Sequence, residues 1–355
     1  MFKDSQPGND ECYEWTPGRI LIAGVFIVIT AGSLTVFARN VFTDEAQLFT
    51  SKTAAATTKP SARIASGRGF NLDNLQVPRD EILHGGPPKD GILALTEPIS
   101  VPVSDADFIN GDQRVVGVIV NDQARAYPIG ILNWHEAIND VLGDTPILIV
   151  FCPLCDSVTV TSRIVNNETH EFGISGLLRN SNVLLYDRTD DSLWSQLGFQ
   201  AISGPNSGNS LTHLDNWELT TFTSWKDRYP DSTVVSFNTG LENPQNYKVQ
   251  LYGDLAQTDD LMFPVDTSDN RLKLKDRIMA VKFGNTARAY PIIEIQKSAD
   301  GVVKDTIEGE IFIFESSKQT NTIKVIQAPE DAFVAHTFWF AWAAYEPNTE
   351  IYKAP

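Results

Sequence analysis

The segment Val115 to Leu132 reads V-V-G-V-I-V-N-D-Q-A-R-A-Y-P-I-G-I-L, and the segment Ile278 to Ile295 reads I-M-A-V-K-F-G-N-T-A-R-A-Y-P-I-I-E-I. The two segments share the motif A-R-A-Y-P, which in each case follows an apolar, β-branched run and a short polar turn. A strand, a turn and a second strand in this order are typical of a β-hairpin. Because the motif recurs in the same local context, the sequence predicts two copies of one supersecondary unit.

The likeness between the copies continues beyond the shared motif. Trp225 and Trp342 each precede a proline by five residues. In the first copy the segment Ile129 to Leu142 has helical spacing and stops at Gly143, which predicts a helix after the hairpin. We therefore predict an α+β, β-rich fold with an internally duplicated strand-helix-strand unit, preceded by one N-terminal transmembrane helix.

The copies differ in length, because the second reaches Trp342 about 46 residues sooner after its shared motif than the first reaches Trp225. Most of the extra length in the first copy lies between about His170 and Ser210. It follows Cys152 and Cys155, which have no counterpart in the second copy. We expect any functional site to lie in the first copy, with the second copy as a scaffold.

An uncharged run from Ile20 to Ala38 lies between Arg19 and Arg39. As a helix this run would be about 28 Å long, close to the thickness of the hydrocarbon core of a bilayer. A cleaved signal peptide that ends at Ala38 is the alternative, but the run exceeds a usual signal core and the leading tail is acidic. We therefore predict an uncleaved anchor that holds a soluble part outside the cytoplasm.

This prediction divides the chain into six parts. They are a polar tail (1–19), a transmembrane anchor (20–38), a flexible tether (39–69), the first copy with the site (70–236), a connection (237–275) and the second copy (276–355). The tether is rich in Thr, Ala, Ser and Lys without an apolar period, which suits a flexible segment.

Composition excludes some classes of partner. The net charge of −17 argues against binding to a phosphate backbone, which draws on clustered Lys and Arg, so we expect no nucleic-acid partner. The chain has three cysteines and is not a scaffold built on disulfides. The predicted anchor makes the membrane a partner, and the sequence identifies no protein partner.

The stretch Phe151 to Ser157 reads F-C-P-L-C-D-S and lies between two runs that resemble strands. A C-x-x-C between strands is typical of a metal-binding knuckle, whereas a thioredoxin-type pair would precede a helix. We predict Cys152 and Cys155 as ligands of a soft metal ion, with His135 as the third. Two thiolates and one imidazole suit copper(I) slightly better than zinc, which needs four ligands.

Two alternatives remain open for the C-x-x-C pair. The first is a thiol/disulfide enzyme in which the pair cycles between dithiol and disulfide and His135 acts as a general base. The second is a structural or interaction module in which the pair only fixes a turn. Between these possibilities the sequence does not decide whether the protein is an enzyme, and it assigns no catalytic residue.

Other polar or aromatic residues near the pair could line a pocket or orient its ligands. They are Asn139, Asp140, Ser175, Arg179, Asn180, Tyr186, Asp187, Arg188, Trp194 and Gln196. A structural interpretation is also available, in which Asp187 and Arg188 form a surface ion pair and Asp190 or Asp191 caps a helix that begins near Ser192.

The chain resembles a family known as domain of unknown function 3179, found largely in bacteria and archaea. The resemblance extends from about Phe70 to Tyr352. It rests on the ordered motifs G-G-P-P-K-D-G-I, R-A-Y-P, W-H-E-A-I-N-D, C-P-L-C, S-G-L-L-R-N-S, Y-D-R, S-L-W-S-Q and F-W-F-A-W. The family pattern has Gly after the second Cys, where this chain has Asp156. The resemblance implies an exported or membrane-anchored protein and no established activity.

Overall fold

Each A-R-A-Y-P segment forms the second strand of a hairpin. β4 (Arg114–Val120) pairs with β5 (Gln123–Pro128), and β17 (Arg277–Phe283) pairs with β18 (Thr286–Pro291). Both hairpins have the same register, because the second residue of the first strand faces the proline that ends the second strand. The β-branched runs in the first strands favour this extended conformation.

The computed structural model describes residues 69–249, 251–253, 255–265, 269–298, 300–318 and 322–355. The predicted tail, the predicted anchor and nearly all of the predicted tether lie outside these residues. Within them, every helix is too short or too polar to cross a bilayer.

The order of elements after each hairpin is the same. The first hairpin leads to α1 (Ile129–His135), β6 (Ala137–Leu142), β7 (Thr145–Cys152), β8 (Ser157–Ser162) and, after the insertion, β15 (Trp217–Thr221), α2 (Phe222–Arg228) and β16 (Thr233–Val235). The second leads to α3 (Ile292–Ile295), β19 (Val302–Ile307), β20 (Glu310–Ser317), β21 (Thr322–Gln327), β22 (Phe333–Phe338), α4 (Trp339–Tyr345) and β23 (Glu350–Ile351). Each half is thus a hairpin, a helix, a three-stranded meander and a strand-helix-strand ending.

The halves exchange their meanders. Two short strands, β2 (Leu95–Thr96) and β3 (Ser100–Pro102), lie at the edges of the large sheets. The first large sheet has the order β2-β6-β7-β8-β22-β17-β18-β23, and the second has the order β19-β20-β21-β15-β4-β5-β16-β3. Each large sheet therefore joins the meander of one half to the hairpin of the other.

The insertion builds a third, smaller sheet. Its strands are β11 (Phe172–Arg179), β12 (Asn182–Asp187), β13 (Leu193–Ser195) and β14 (Gln200–Ser203), with β1 (Ile82–His84) at the edge. A ribbon of β9 (Ile164–Val165) and β10 (Glu168–Thr169) leads into it. Single 3₁₀ turns occur at Arg79–Glu81, Val103–Asp105, Asn246–Lys248 and Leu255–Gln257.

Strand β7 lies between two hydrophobic layers. Ile147, Ile149 and Phe151 join the core between the two large sheets, whereas Leu148 and Cys152 join a second cluster with the insertion strands. Side chains alternate across a strand, so one strand serves both layers. The cysteines consequently lie between the first large sheet and the sheet built by the insertion.

The β-rich character predicted from the sequence is confirmed, with four short α-helices in the described part of the chain. The prediction of a helix from Ile129 to Leu142 is wrong in its second half. Glu136 has φ +56°, which ends the helix, and the next residues pair with β7 as strand β6. Gly143 and Asp144, both with positive φ, form the tight hairpin turn between these strands. The helix expected near Ser192 is likewise replaced by strand β13.

Candidate functional site

The C-x-x-C turn joins β7 to β8. Cys152 is the last residue of β7 and pairs with Ser157, the first residue of β8. The backbone N–H of Cys155 donates to the carbonyl of Cys152 at 3.4 Å, and Asp156 has φ +51°, which turns the chain into β8. Both cysteines are free thiols, and both are buried with exposed fractions of 1% and 0%.

The two sulfur atoms have different surroundings. Sγ of Cys155 lies 3.3 Å from Oγ of Ser157 and 3.4 Å from Nδ2 of Asn182. Sγ of Cys152 lies 3.9 Å from the carbonyl oxygen of Ser181, which can only accept a hydrogen bond. Asn182 is therefore placed to donate to Sγ of Cys155, whereas Cys152 faces an acceptor and is placed to donate as a thiol.

This difference moves the two thiol pKa values in opposite directions. Burial and the neighbouring sulfur raise the pKa of Cys152 well above its usual range. Burial would also raise the pKa of Cys155, but hydrogen bonding with Cys152, Ser157 and Asn182 outweighs it, so that pKa lies below its usual value. The pair is thus asymmetric, with Cys155 the more acidic of the two thiols.

Glu136 is a buried carboxyl group beside this pair. Burial, and then the charge of Cys155, raise the pKa of Glu136 to about 8. The same carboxyl group and Cys152, after burial, contribute to a raised pKa of Tyr252 in the connection. Near neutral pH Glu136 is mostly protonated, so it can give or take a proton next to the thiols.

Gln196 holds the polar side of the site in place. Its Nε2 donates to the carbonyls of Val150 at 3.1 Å and Ser157 at 3.2 Å. Its Oε1 accepts from Nδ2 of Asn182 at 2.7 Å and from Oγ of Ser157 at 2.8 Å. Because the Ser157 hydroxyl gives its one hydrogen to Gln196, the amide of Asn182 is the side-chain donor that reaches Cys155, and Gln196 fixes the orientation of this amide.

The second half of the chain contributes to the same site. The hydroxyl of Tyr345, on α4, donates to the carbonyl of Arg179 at 3.2 Å and lies 3.1 Å from Oγ of Ser195. The guanidinium group of Arg179 stacks 4.4 Å above the Tyr345 ring. The backbone N–H of Phe338 donates to the carbonyl of Cys155 at 2.9 Å. The site is therefore assembled from the first half, its insertion and α4 together.

His135, predicted as the third metal ligand, has two other partners. Its Nδ1 lies 2.6 Å from the carbonyl oxygen of Leu93, and its Nε2 lies 2.7 Å from the hydroxyl of Tyr247. A carbonyl can only accept, so Nδ1 carries the hydrogen and Nε2 accepts from Tyr247. Burial lowers the pKa of His135, in keeping with this neutral form. The geometry gives this side chain the role of fixing the connection to α1.

Several of the other predicted residues bind the backbone or carry ion pairs away from the sulfurs. Asn139 links strands, because its Nδ2 donates to the carbonyl of Phe172 at 2.9 Å and its Oδ1 accepts from the N–H of Phe172 at 2.8 Å. Ser175 stabilises the bulge in β11 by donating to the carbonyl of Leu184 and accepting from the N–H of Leu177. Asn180 donates to the carbonyl of Ala344 at 3.4 Å.

The remaining predicted residues join the insertion to the loop that holds the G-G-P-P-K-D-G-I motif (Gly85–Ile92), or they pack in the core of the insertion. Arg188 forms a bidentate ion pair with Asp90, with both distances 2.9 Å, and Tyr186 donates to the same carboxylate. Asp187 pairs with His170, and the buried ring of Trp194 packs edge-on against Phe172. The pair of Asp187 with Arg188 that was considered as a structural alternative is thus replaced by two separate pairs.

Asp140 has a structural partner set that recurs in the second half. Its Oδ2 accepts from Nη1 of Arg125 at 2.7 Å and from the hydroxyl of Tyr127 at 2.8 Å. Oδ2 of Asp305 accepts from Arg288 and Tyr290 at the same two distances. Arg and Tyr of the shared A-R-A-Y-P motif thus link the hairpin of one large sheet to the meander of the other through hydrogen bonds to an aspartate.

Asp156, after the second cysteine, forms a triad with two arginines. Its carboxylate accepts from Arg114 at 2.6 and 3.0 Å and from Nε of Arg277 at 2.9 Å. Burial would raise its pKa, but the two guanidinium groups lower it far below the usual range. His336 donates from Nδ1 to the Asp156 carbonyl at 3.0 Å, and burial lowers the pKa of His336 to about 4.

Sequence reasoning missed the residues closest to Cys155, although each stands beside a residue that was chosen. Glu136 follows His135 in W-H-E-A-I-N-D, Ser157 follows the C-P-L-C turn, and Asn182 lies two positions after Asn180. No local signal marks Asn182, because Asn180 and Ser181 form the positive-φ turn between β11 and β12, and strand alternation does not continue through a turn.

In the part of the chain that the structure describes, no group of three or more His, Cys, Asp and Glu residues is arranged to hold a metal ion. The site predicted from the sequence is therefore represented by the two adjacent cysteines, and Gln196 is the one predicted supporting residue that holds their hydrogen-bond donors. A metal role for His135 stays a prediction.

Comparison with known proteins adds one finding to this geometry. Neither the curated proteins nor the solved structures yield a match. Residues 89–349 match the family described as "Protein of unknown function (DUF3179)", a span that contains both hairpins, both meanders and the cysteine pair. Because this match covers well over half of the sequence, the chain belongs to the family of unknown function DUF3179.

Proposed function

We propose that Cys152 and Cys155 form a redox pair that exchanges a dithiol for a disulfide with a substrate. The proposal is carried by one observation, the unequal environment of two adjacent free thiols, in which Cys155 is favoured as a thiolate and Cys152 as a thiol. Thiol–disulfide exchange needs one activated sulfur to attack and a second sulfur to resolve the mixed disulfide. Glu136 supplies a buried proton carrier.

The first step is attack of the Cys155 thiolate on one sulfur of a substrate disulfide. The substrate S–S bond breaks, a mixed disulfide forms on Cys155, and the leaving thiolate takes the proton of the Glu136 carboxyl group. Donation from a group with a pKa of about 8 matches the task of protonating a thiolate.

The second step resolves the mixed disulfide. The Cys152 thiol gives its proton to the Glu136 carboxylate and attacks Sγ of Cys155, and the second substrate thiolate leaves and takes a proton from solvent. The substrate gains two electrons and two protons in total, and the protein is left with a Cys152–Cys155 disulfide. The reverse sequence oxidises a substrate dithiol.

Access to the sulfurs involves the connection between the halves. Side chains of this segment pack against the same cluster that contains both cysteines, among them Tyr252, Leu255, Leu261, Phe263 and Val265. Since both sulfurs are buried, we propose that a substrate reaches Cys155 when part of the connection moves aside.

The order of the two cysteines can be tested by trapping. In the full chain with Cys12→Ser, the further change Cys152→Ser is expected to accumulate a mixed disulfide on Cys155 with a small aromatic disulfide, detected by mass spectrometry of peptides. The matched variant Cys155→Ser should trap at least tenfold more slowly, because Cys152 lacks thiolate stabilisation. Equal trapping by both variants would contradict the assigned roles.

A second candidate function is the binding of a soft metal ion, copper or zinc. It is supported by two free thiols on one turn, because thiolates select copper(I) and zinc over harder ions. In this alternative Cys152→Ser or Cys155→Ser abolishes stoichiometric uptake, and His135→Ala weakens it only if the ring leaves Tyr247. Purified, reduced protein that takes up neither metal would remove this alternative.

We also propose that residues 20–38 anchor the protein in a membrane and that the described part lies outside the cytoplasm. The proposal is supported by the uncharged run between Arg19 and Arg39. It rests on the sequence, since these residues lie outside the described ones. A reporter that works only in the cytoplasm, fused after Pro355, should be inactive, and robust activity would contradict this placement.

The two halves, we further propose, arose by internal duplication. The proposal is supported by the shared order of elements and by matching contacts, because Nε1 of Trp225 donates to Oγ of Ser232 and Nε1 of Trp342 donates to Oγ1 of Thr349, both at 2.9 Å. An experimental structure in which the segments Val115 to Pro128 and Ile278 to Pro291 do not superpose would contradict it.

A further inference from the structure

A cleft of about 830 Å³ lies beside the C-x-x-C turn. Phe151, Pro153 and Asp156 line it, and they alternate with the cysteines along the turn. The volume falls within the range of pockets that bind small molecules in proteins. The cleft is therefore large enough for a ligand and distinct from the buried sulfurs.

Both halves of the chain build this cleft from corresponding positions. Arg114 and Arg277 are the first residues of the two hairpins, and Ile129 and Ile292 are the first residues of the helices that follow them. The four residues all belong to the lining. The cleft thus lies between equivalent elements of the two halves, and residues of the connection complete its lining.

The charge of the lining differs from that of the whole chain. Five side chains of the lining are basic, namely Arg114, Lys248, Lys273, Lys275 and Arg277. Three are acidic, namely Asp112, Asp156 and Asp276. The chain as a whole has a net charge of −17, so a cleft with an excess of cations is a local departure from the composition. Such a concentration of one sign of charge in a cleft attracts ligands of the opposite sign.

Two of the five cations already have strong partners. Two nitrogens of Arg114 donate to the Asp156 carboxylate at 2.6 and 3.0 Å, so this guanidinium group is already bound. Nζ of Lys275 donates to the carbonyls of Leu255 and Thr258, and to that of Asp260 at 2.7 Å. These groups fix the walls of the cleft.

The other three cations retain donors that face no partner among the described residues. Arg277 uses Nε for Asp156, and its two terminal nitrogens are unpaired within that part of the chain. The same holds for Nζ of Lys248 and Nζ of Lys273, whose side chains are exposed. A planar guanidinium group with two free N–H donors matches the oxygen spacing of a carboxylate or phosphate, and the lysines add charge.

We propose that this cleft binds a small organic or inorganic anion with carboxylate or phosphate oxygens. Arg277 binds the oxygens directly, Lys248 and Lys273 neutralise the remaining charge, and Asp156 holds Arg114 and Arg277 in place. The carboxylate of Asp156 also reduces the positive potential that a ligand meets. Removing its charge should therefore strengthen anion binding, whereas removing the lysines should weaken it.

The test is calorimetric titration of the full chain with citrate and, separately, with inorganic phosphate at low ionic strength. Saturable binding of one ligand per chain is expected for at least one of the two probes, and the better probe identifies the preferred oxygen chemistry. Lys248→Gln combined with Lys273→Gln should weaken that binding at least tenfold. The matched pair Lys304→Gln and Lys318→Gln, two exposed lysines outside the lining, should change it less than twofold.

Asp156→Asn should change the anion affinity in the opposite direction to the lysine substitutions. Asn keeps the size of the side chain and tolerates the positive φ of this position, and we expect a three- to tenfold gain in affinity. Cys155→Ser should leave the affinity unchanged, which separates this proposal from the redox proposal. Absence of saturable binding of both probes, or equal losses in the two lysine pairs, would overturn the anion site.

Discussion

Nδ2 of Asn182 lies 3.4 Å from Sγ of Cys155 and thereby joins the insertion to the C-x-x-C turn. Asn182 is the first residue of β12, and its amide also donates to Oε1 of Gln196 at 2.7 Å. The insertion that distinguishes the first half from the second thus supplies both the apolar cover of the cysteines and a donor for one of them.

Replacing Asn182 with Ala should raise the pKa of Cys155. A hydrogen bond to a charged group contributes roughly 1.5 kcal/mol, so we expect an increase of about one unit in the pH midpoint of thiol alkylation. The midpoint is measured by iodoacetamide labelling of the Cys12→Ser chain, with peptides resolved by mass spectrometry. The control Asn209→Ala, whose amide donates to Asn206, should leave the midpoint unchanged. A pKa that stays constant in both variants would contradict the role of Asn182.

Glu136 should make the folded protein less stable as the pH rises. Its pKa is about 8 in the folded state and 4.5 as its ordinary value, so the unfolded chain releases this proton first. The contribution of Glu136 to stability is fully present below about pH 4.5 and is lost as the pH rises to about 8, by about 5 kcal/mol at most. Glu136→Gln should flatten this part of the profile in urea unfolding, whereas Glu168→Gln, which removes an exposed carboxyl group, should not. A wild-type profile without this slope would contradict the raised pKa.

The two Arg–Tyr–Asp hydrogen-bond groups predict unequal losses of stability for two matched Tyr→Phe substitutions. Tyr127→Phe removes a hydrogen bond to Asp140, whose side chain is 4% exposed, and we expect a loss of about 2 kcal/mol. Tyr290→Phe removes the corresponding bond to Asp305, which is 22% exposed, and should cost about 1 kcal/mol because water can replace the hydroxyl.

The unfolding free energies of these variants are measured in urea. Tyr352→Phe serves as the control, because its hydroxyl makes no hydrogen bond within the described residues. We expect Tyr127→Phe to lose more unfolding free energy than Tyr290→Phe. A larger loss in Tyr290→Phe would contradict the explanation that burial of Asp140 strengthens its hydrogen bond.

Two substitutions at Asp156 separate the effect of backbone conformation on stability from the effect of the lost charge. Asp156→Asn and Asp156→Ala both remove the ion pairs with Arg114 and Arg277, but Asn accepts the φ of +51° better than Ala. We therefore expect Asp156→Ala to be less stable than Asp156→Asn by about 1 kcal/mol. Equal free energies of unfolding would mean that the turn relaxes out of the left-handed conformation.

The hairpins could be predicted from the sequence because they are local. The segment Val115 to Pro128 and its repeat at Ile278 to Pro291 each contain strand, turn and strand within a single window. The exchange of meanders between the halves could not be predicted, because pairing of β8 with β22 depends on contacts between residues as distant as Val158 and His336. Spacing in one sequence carries no signal for such long-range pairing.

The error after His135 has a local cause. Ile131, Trp134, Ile138 and Val141 satisfy helical spacing, but the positive φ of Glu136 ends the helix and starts a strand with nearly every residue buried. A short apolar run fits a helix and a buried strand equally well. His135 binds Leu93 and Tyr247, whereas Glu136, the next residue, is the group that interacts with the thiols.

The cysteine pair itself was identified from its spacing, while its partners were identified only in part. Gln196 is predicted as one of the polar residues of the insertion, but Ser157 and Asn182 lack the chemistry that marks a metal ligand or a catalytic base. Their role depends on three strands from two sheets meeting at Cys155. That arrangement is a property of the tertiary structure.

The redox proposal is tested most directly by equilibrating the folded full chain, with Cys12→Ser, in mixtures of reduced and oxidised dithiothreitol. The thiols are then blocked, and the fraction of Cys152–Cys155 disulfide is measured by mass spectrometry. We predict a reversible two-electron transition that is lost in Cys152→Ser and in Cys155→Ser and that shifts in Asn182→Ala. A pair that never forms a disulfide across the range, or a disulfide that is reduced only after unfolding, would contradict a functional dithiol.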